Sequence, residues 1–280
     1  MTVSPTRLRH RRAVAVGGVV ASVVLLAAGC ADGAADDKNP NHKSFAVKGK
    51  TLTVDSNDSA LELVAADVDE VRVTRWFSGK VVVGGDPKVT WKVDGDRLVL
   101  RVKCSGVIAD CSAKHRIEVP TGIAVAVKDG DGSVTARGFR EAVDVRTRDG
   151  SVSVRNSSGP LTLQSGDGSV RVEDASGPLT LRTRDGSIHA GGIDARRVRA
   201  SSGDGSIRLE LGVVPDLVES ETRDGSISIV LPDETPYRVS AETGDGSVHV
   251  SVPRADDSPH VVSARTHDGK ISVEGAQSAN

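Results

Sequence analysis

The chain has 280 residues, a formal net charge of −2 at pH 7 and only 2% aromatic residues. A charge so close to zero excludes the basic excess of a nucleic-acid-binding protein, and the scarcity of aromatic side chains leaves few stacking platforms for bases or sugars. The apolar residues are mainly Val, Leu, Ile and Ala, and the β-branched ones among them favour strands. We therefore expect a β-rich chain with an elongated core.

Residues 1–30 have the features of a targeting segment. Four arginines fall between residues 7 and 12, an apolar run fills residues 13–28, and Cys30 is followed at once by polar residues. This ending resembles a bacterial lipoprotein signal, whose cysteine is lipidated and becomes the new N-terminus, although Ala27 stands where such signals usually carry Leu. A transmembrane anchor is the alternative, but about 16 apolar residues are few for crossing a bilayer. We therefore predict lipidation at Cys30.

Lipidation would place the rest of the chain outside the cytoplasm, on the outer face of the cell membrane. Arg11 and Arg12 leave open whether export uses the general or the twin-arginine route. Loss of the signal removes four arginines and no acid, which leaves 32 basic and 38 acidic residues and a net charge of −6. Residues 31–44 are polar and lack apolar periodicity, as in a flexible tether.

Residues 45–120 alternate apolar and polar side chains, the period-two pattern of half-buried strands. The alternation is clear at residues 71–73 and 98–102, and turns are indicated at residues 84–87 and 94–96. Because no fixed period relates these segments, we predict an irregular N-terminal β region that caps the rest of the fold.

Cys104 and Cys111 lie in this region, seven residues apart. With Cys30 lipidated in an exported protein, these two cysteines are left to pair with each other, and a disulfide is the favoured interpretation. A metal site is less favoured because His115 is the only nearby third ligand. A redox pair is also disfavoured, since the spacing is not Cys-x-x-Cys.

The remainder of the chain carries a tandem repeat of Asp-Gly-Ser followed by Val or Ile, with Lys in place of Ser in the last copy. The eight aspartates are Asp131, Asp149, Asp167, Asp185, Asp204, Asp224, Asp245 and Asp268. Successive copies lie 18 to 23 residues apart, and the interval lengthens along the chain. A repeat of this length is typical of stacked units that cannot bury their apolar faces alone.

Apolar columns flank each aspartate on both sides. The third and fifth residues after it are apolar in every copy, with a polar residue between them. The sixth and fourth residues before it are also apolar, with Ser220 as the exception. This in–out–in pattern predicts one short strand on either side of a corner, while the loops absorb the added residues.

The predicted fold is therefore an all-β, single-stranded parallel β-solenoid (β-helix) with about 18–23 residues per rung. The solenoid should span residues 121–275, with the irregular N-terminal β cap at residues 45–120 and a tail at residues 276–280. Eight rungs spaced about 4.8 Å apart give a rod roughly 35 Å long, before the cap is added.

The Asp-Gly-Ser tripeptide is predicted to be a structural corner, in which Asp accepts a backbone hydrogen bond and Gly supplies an unusual φ. The residue before the aspartate alternates, beginning Gly130, Arg148, Gly166, Arg184. Stacked carboxylates repel by about 1 kcal/mol in a water-like dielectric, and an Arg on every second rung would offset much of this repulsion. A Ca²⁺ ladder along the aspartates is the alternative. The arginines, and the lack of a Gly-Gly-x-Gly-x-Asp pattern, disfavour it.

Three features carry a family resemblance: the pair Cys104 and Cys111, the segment at residues 117–122, and the Gly-Asp-containing corners. On these, residues 45–275 resemble the bacterial "putative adhesin" β-strand-repeat family, a domain of unknown function common in actinobacterial lipoproteins. Members usually show Ser-Gly-Asp before the apolar residue, whereas this chain has Asp-Gly-Ser. The apolar columns are intact, so the resemblance still implies the same fold. It supplies no catalytic residues.

We expect a non-enzymatic, lipid-anchored cell-surface protein that serves as an adhesin, scaffold or spacer in the cell envelope. The sequence contains no Ser-His-Asp spacing, His-x-x-x-His pair or phosphate-binding glycine loop. We expect no cofactor, no nucleic acid and a monomeric chain, with the membrane and an envelope protein or glycan as partners. The alternative is a protein that binds, or acts on, cell-wall polysaccharide, or that binds cations at the corner aspartates.

Overall fold

The computed structural model describes residue 34 and residues 37–276, so Cys30 and the predicted signal lie outside the described residues. Residues 37–276 form strands, turns and loops without a helix. In chain order the strands are β1 Asn41–Phe45, β2 Thr51–Asp55, β3 Ala60–Ala66, β4 Val71–Val81, β5 Lys88–Asp94, β6 Arg97–Lys103, β7 Ala109–Pro120, β8 Ala124–Asp129, β9 Val134–Arg137, β10 Val143–Thr147, β11 Val152–Ser157, β12 Leu161–Gln164, β13 Val170–Ala175, β14 Leu179–Arg182, β15 Ile188–Ile193, β16 Arg197–Ser201, β17 Ile207–Leu211, β18 Leu217–Glu221, β19 Ile227–Leu231, β20 Arg238–Asp245, β21 Val248–Val250, β22 Val261–Asp268 and β23 Ile271–Gly275.

Each repeat supplies one strand to each of two sheets. Within residues 37–276, the strand before each corner joins an 11-stranded sheet, and the strand after it joins a 12-stranded sheet. Neighbouring repeats pair in parallel and in register, so that Val143 lies opposite Leu161 and Val152 lies opposite Val170. The predicted parallel β-solenoid is therefore confirmed.

The apolar columns form one continuous core between the two sheets. In β10 and β11, the side chains of Val143, Val145, Val152 and Val154 are at most 1% exposed. Ser220, the polar exception in the columns, is also buried. Because successive side chains of a strand point to opposite faces, the residues between these positions are left on the outer faces of the rod.

The N-terminal region is more regular than the sequence suggested. Strands β2 and β3 form a rung that stacks in parallel on β8 and β9. Strands β6 and β7 form a second rung on the other side of β2 and β3. The irregular cap is limited to β1, β4 and β5, which close this end by antiparallel pairing.

The rungs at the C-terminal end do not follow chain order. Strands β22 and β23 pair with β18 and β19, and β20 and β21 then add outside them. The corner at Asp268 therefore does not close the stack, and the corner at Asp245 occupies the end. Because the end rung has a neighbour on one side only, Val248 in its apolar column is 44% exposed.

The second corner of the rungs uses the left-handed backbone conformation. Gly138, Asn156, Asp174 and Gly192 each lie seven residues after a repeat aspartate and have φ between 52° and 79°. Gly, Asn and Asp are the residue types that adopt this conformation at least cost, and this explains their recurrence at the position.

Candidate functional site

The glycine after each corner aspartate lets the backbones of neighbouring rungs approach closely. A Cβ on Gly168 would lie 2.2 Å from the carbonyl oxygen of Gly150, and a Cβ on Gly186 would lie 2.2 Å from that of Gly168. None of these three glycines has a positive φ. The predicted reason for glycine, an unusual φ, is therefore wrong at these three corners, where the requirement is space between rungs, but it holds at Gly246 and Gly269, whose φ values are 156° and 152°.

Seven of the eight corner aspartates have a Ser or Thr two residues before them, and in four of these turns its hydroxyl accepts a hydrogen bond from the corner glycine N–H. The Gly150 N–H donates to Thr147 Oγ1 (3.1 Å), and the Thr147 hydroxyl donates to the carbonyl oxygen of Gly130 on the neighbouring rung (2.8 Å). We call the hydroxyl groups at this position the hydroxyl column; they belong to Thr147, Ser165, Thr183, Ser202, Thr222, Thr243 and Thr266. Each of them donates to a glycine carbonyl of an adjacent rung. Where the glycine N–H is bonded in this way, a Ser or Thr hydroxyl accepts the backbone hydrogen bond that the sequence analysis assigned to the corner aspartate.

The first repeat carries Asp129 at the position of the hydroxyl column. Both of its carboxylate oxygens are buried. Burial, with smaller contributions from the nearby charges of Asp58 and Asp131, raises the pKa of Asp129 from 3.8 to about 7. This carboxyl group is therefore partly protonated near neutral pH, unlike an ordinary aspartate.

Three arginines bridge corner aspartates on successive rungs. Arg184 contacts the carboxylate of Asp167 through Nη2, and its Nε lies 3.2 Å from Asp185 Oδ2. The three bridges are Arg148 with Asp131 and Asp149, Arg184 with Asp167 and Asp185, and Arg223 with Asp204 and Asp224. These hydrogen bonds raise the pKa of each guanidinium group. Three guanidinium groups thus supply six stacked carboxylates with the positive counter-charge that a metal ion could otherwise supply.

The last two corner aspartates lack an arginine bridge in the part of the chain that the structure describes. Asp268 lies beside Asp224 on one side and Asp245 on the other. His267 precedes Asp268, where the earlier alternate rungs carry arginine. Even so, residues 34 and 37–276 contain no group of three or more His, Cys, Asp or Glu side chains that could hold a metal ion.

The outer faces of the sheets carry ion pairs that join neighbouring rungs. Arg155 Nε lies 2.9 Å from Glu173 on the next rung, and Arg265 Nη2 lies 3.1 Å from Glu242. A shallow depression of about 330 Å³ on the 11-stranded sheet lies between such charged side chains, including Arg199. These faces therefore present alternating charges of both signs.

Aromatic side chains are missing from the outer faces of the solenoid between residues 121 and 276. The two aromatic residues of this range, Phe139 and Tyr237, are 2% and 0% exposed. Sugar-binding surfaces use exposed aromatic rings as stacking platforms. The described solenoid offers none.

Cys104 and Cys111 form a disulfide with a Cα–Cα distance of 6.1 Å, as predicted. The bond closes the corner between β6 and β7. His115, the nearby imidazole, is fully buried with its ring centroid 6.5 Å from that of Trp91. Burial, followed by the charge of Arg75, lowers the pKa of His115 to about 4. The imidazole is therefore neutral at pH 7 and belongs to the core of the cap.

The sequence profile of the Toastrack DUF4097 family matches residues 33–274. The chain belongs to this family. The match covers both the cap and the stacked rungs of the Toastrack fold described above. No curated protein matches this Toastrack chain. In its described residues, no helix is long and apolar enough to cross a bilayer.

Three solved structures are similar to this Toastrack chain at low identity. A "putative adhesin" from Bacteroides fragilis NCTC 9343 is 15% identical with a TM-score of 0.48, covering 85% of this chain and 98% of the other. A "putative adhesin" from Parabacteroides merdae ATCC 43184 is 11% identical with a TM-score of 0.38, covering 86% and 98%. A "putative cell adhesion protein" from Clostridium sporogenes ATCC 15579 is 12% identical with a TM-score of 0.31, covering 85% and 99%. These similarities carry no argument about function.

Proposed function

We propose that the chain is a non-enzymatic, lipid-anchored module on the outer face of the cell membrane, adhesin-like or acting as a scaffold for an envelope partner. The observation that carries the proposal is the unbroken solenoid, whose outer faces and first six corners carry their own ion pairs. Such a surface suits contact with another macromolecule through shape and paired charges. The signal ending at Cys30 supports the lipid anchor.

The alternative, binding of polysaccharide or cations, has less support. The arginine bridges already pair six of the eight corner aspartates, three positive charges against six negative ones. Phe139 and Tyr237, the aromatic residues between residues 121 and 276, are buried. A cation or glycan site on this rod would therefore have to use the two unbridged corners or the half-buried Trp76 and Trp91 of the N-terminal region.

The anchor is tested by expressing the full chain and measuring the mass of its N-terminal peptide. We expect a peptide that begins at Cys30 and carries diacylglyceryl. The variant Cys30→Ala should lose this modification, while the control Asn39→Ala, in the same polar stretch, should keep it. An unmodified wild-type N-terminus in a cell-surface fraction would contradict the anchor.

The scaffold role is tested by chemical crosslinking on intact cells, followed by affinity isolation of the wild-type chain and of Cys30→Ala. We expect one or a few envelope proteins that are recovered with the wild-type chain and lost with the variant. An identical set of partners from both chains would contradict the anchored scaffold, because its contacts would then not depend on the lipid anchor. Turnover of cell-wall glycans by the purified chain would overturn the non-enzymatic assignment.

A further inference from the structure

Four exposed apolar residues cluster where the β4–β7 ribbon bends into the β5–β6 hairpin. We call Val82, Val83, Val107 and Ile108 the apolar tip; they are 69%, 60%, 81% and 63% exposed. Among the described residues, the only other large apolar side chain with comparable exposure is Val248 on the end rung. Clustered apolar exposure of this kind marks an interaction site more often than isolated exposure does.

The tip is apolar on both chain segments that form it. Past Val81 the two segments stay hydrogen-bonded, because the Val82 N–H donates to the Ile108 carbonyl (2.9 Å) and the Val107 N–H donates to the Val83 carbonyl (2.7 Å). The backbone bends at all four residues, so they lie outside the regular strands. Val82 and Val83 stand on one segment, and Val107 and Ile108 stand on the other.

The ribbon leaves the solenoid before it reaches the tip. Strand β7 pairs with β3 only from Lys114, opposite Ala60, so residues 109–113 extend beyond the edge of the neighbouring rung. The protein core consequently leaves all four side chains of the tip at least 60% exposed. A medium that surrounds the tip can cover all four of them at once.

The tip is held in shape by features at its base and end. Cys111 lies opposite Gly79 and is bonded to Cys104. At the far end, Gly84 pairs with Gly106, and a Cβ on Gly84 would lie 2.4 Å from the carbonyl oxygen of Ser105. The four apolar side chains are therefore presented on an ordered ribbon rather than on a loose loop.

The N-terminal part of the chain runs towards the tip. Strand β1 pairs antiparallel with β4, placing Phe45 opposite Val71 and Asn41 opposite Arg75. Further upstream, the Phe77 N–H donates to Asp37 Oδ2 (3.1 Å), a hydrogen bond that lowers the pKa of Asp37. Moving from Phe45 back to Asp37 therefore follows β4 in the direction of the tip.

Chain lengths place a lipid on Cys30 within reach of the tip. Cys30 precedes Asp37 by seven residues, which span at most about 25 Å. From Phe77 to Val82, five residues along an extended strand cover roughly 17 Å. An acyl chain attached to Cys30 and the apolar tip can thus enter the same bilayer.

We propose that the apolar tip inserts into the phospholipid bilayer that holds the lipid anchor, as a second contact that fixes the orientation of the rod on the membrane. This inference rests on the anchor proposed above. A bilayer surrounds an inserted segment and covers all of its apolar side chains. The exposed lysines Lys80, Lys88 and Lys103 flank the tip, where they can meet lipid phosphates, and Asp110 lies opposite Lys80.

The experiment uses the full chain in the membranes of the cells that produce it. A photoreactive amino acid, p-benzoyl-phenylalanine, replaces Ile108 at the tip or, as a control, the exposed Thr135 on the solenoid. After irradiation, mass spectrometry of the labelled peptides identifies the crosslinked molecule. We expect phospholipid adducts at position 108 at least about tenfold above those at position 135, because the tip lies among the lipids.

A second variant tests whether the apolar side chains cause insertion. In the Val83→Asp/Val107→Asp background, the lipid adduct at position 108 should fall at least about tenfold, because carboxylates are costly in a bilayer. The Cys104–Cys111 peptide, measured in the same digest, reports whether the ribbon still folds. Equal lipid adducts at positions 108 and 135, or adducts at 108 to a protein instead of a lipid, would overturn the inference.

The failures of the anchor and of the tip can be told apart in one sample. The mass of the N-terminal peptide shows whether Cys30 is lipidated. Lipidated Cys30 without lipid adducts at position 108 rejects tip insertion and leaves the anchor standing. Lipid adducts at position 108 with unmodified Cys30 reject the anchor and show that the tip binds the membrane by itself.

Discussion

The corner glycines are residues whose importance lies in the side chain they lack. Each one lies so close to the backbone of the adjacent rung that a Cβ would overlap a carbonyl oxygen. The sequence revealed the recurrence of glycine but not its cause, because close approach between rungs depends on the stacking and not on the local chain. The hydroxyl column was likewise visible as a run of Ser and Thr, yet its hydrogen bonds cross between rungs.

We predict that Gly168→Ala destabilises the fold by roughly 2–3 kcal/mol, the usual cost of forcing an added group into a packed interior. The reason is the 2.2 Å separation between the new Cβ and the Gly150 carbonyl oxygen. Urea denaturation measures the change. The control Gly85→Ala, whose Cβ would lie 3.8 Å from the nearest neighbouring atom, Ser105 Oγ, should change the free energy of unfolding by less than about 0.5 kcal/mol. Equal effects from both substitutions would contradict the role of close stacking.

Asp129 and His115 give the stability of the chain opposite dependences on pH. The pKa of Asp129 is raised from 3.8 to about 7 in the folded state, so the folded chain binds a proton that the unfolded chain releases, and stability falls as pH rises from about 4 to 7. The pKa of His115 is lowered from 6.5 to about 4, so stability falls as pH drops from about 6.5 to 4. In the wild type the two slopes partly cancel.

Asp129→Thr should therefore remove the contribution of Asp129 to the pH dependence of stability. The contribution of His115 then remains, and stability should fall as pH drops from about 6.5 to 4. At pH 8 the variant should be more stable than the wild type by at most about 4 kcal/mol, because each unit of pKa shift corresponds to about 1.4 kcal/mol and threonine restores the hydroxyl column. Below pH 4 the gain should disappear. Unfolding free energies at several pH values check this, with Asp86→Asn in an exposed loop as the control. A gain of the same size at pH 4 and pH 8 would show that the carboxyl group does not titrate as described.

At the scale of elements, the arginine bridges pair the rungs two by two along the corner. The alternation of Gly and Arg before the aspartates allowed the sequence to predict this arrangement, because both partners recur at fixed positions. The order of the rungs at the two ends could not be predicted in the same way. Every rung presents the same apolar columns, so exchanging two neighbours leaves the core pattern unchanged.

One signal of the exchange was present in the sequence. The repeat interval grows to 21 and then 23 residues in the last two copies. The structure shows why: the chain passes over one rung between β19 and β20 and then returns to fill it with β22. The longer loops were predicted correctly, but they were interpreted as insertions between successive rungs. They are instead the length of chain needed to pass over one rung.

We predict that the triple variant Arg148→Ala/Arg184→Ala/Arg223→Ala makes the corner responsive to calcium. With the bridges removed, six stacked carboxylates lose their counter-charge, and a divalent cation becomes the remaining means of neutralisation. Millimolar CaCl₂ should raise the melting temperature of the variant and leave that of the wild type unchanged. The matched control is Arg137→Ala/Arg155→Ala/Arg171→Ala, which removes the same charge from an outer face. A calcium response in the wild type would instead favour the cation-binding alternative.

At the scale of the whole molecule, the fold is a rod of ten rungs in residues 37–276, nine intervals long, or roughly 43 Å at about 4.8 Å per interval. The fold class was predictable because eight repeats specify the columns many times over. The predicted length of roughly 35 Å covered only the eight Asp-Gly-Ser rungs, and β2, β3, β6 and β7 add two further rungs from the region assigned to the cap. The apolar tip was missed because short valine runs are also typical of buried strands.

Hydrogen exchange should follow the spatial order of the rungs and not the order of the chain. Backbone amides of β20 and β21, on the end rung, should be at least about tenfold less protected than those of β22 and β23, because the end rung is supported on one side only. Peptide-level exchange measured by mass spectrometry resolves the two segments. Greater protection in β20 and β21 would mean that the stack ends with the last strands of the chain.

The exchanged rung order also limits how such a chain can lengthen by tandem duplication. A copy of residues 130–165, a unit of 36 residues, begins and ends in register and brings its own arginine bridge, so the middle of the rod accepts it. The same copy added after β23 would start from a rung already covered by β20 and β21, so its chain would have to cross that rung before reaching the open edge. New repeats therefore enter this rod from within without a change of connection, whereas growth at the C-terminal end requires another crossing.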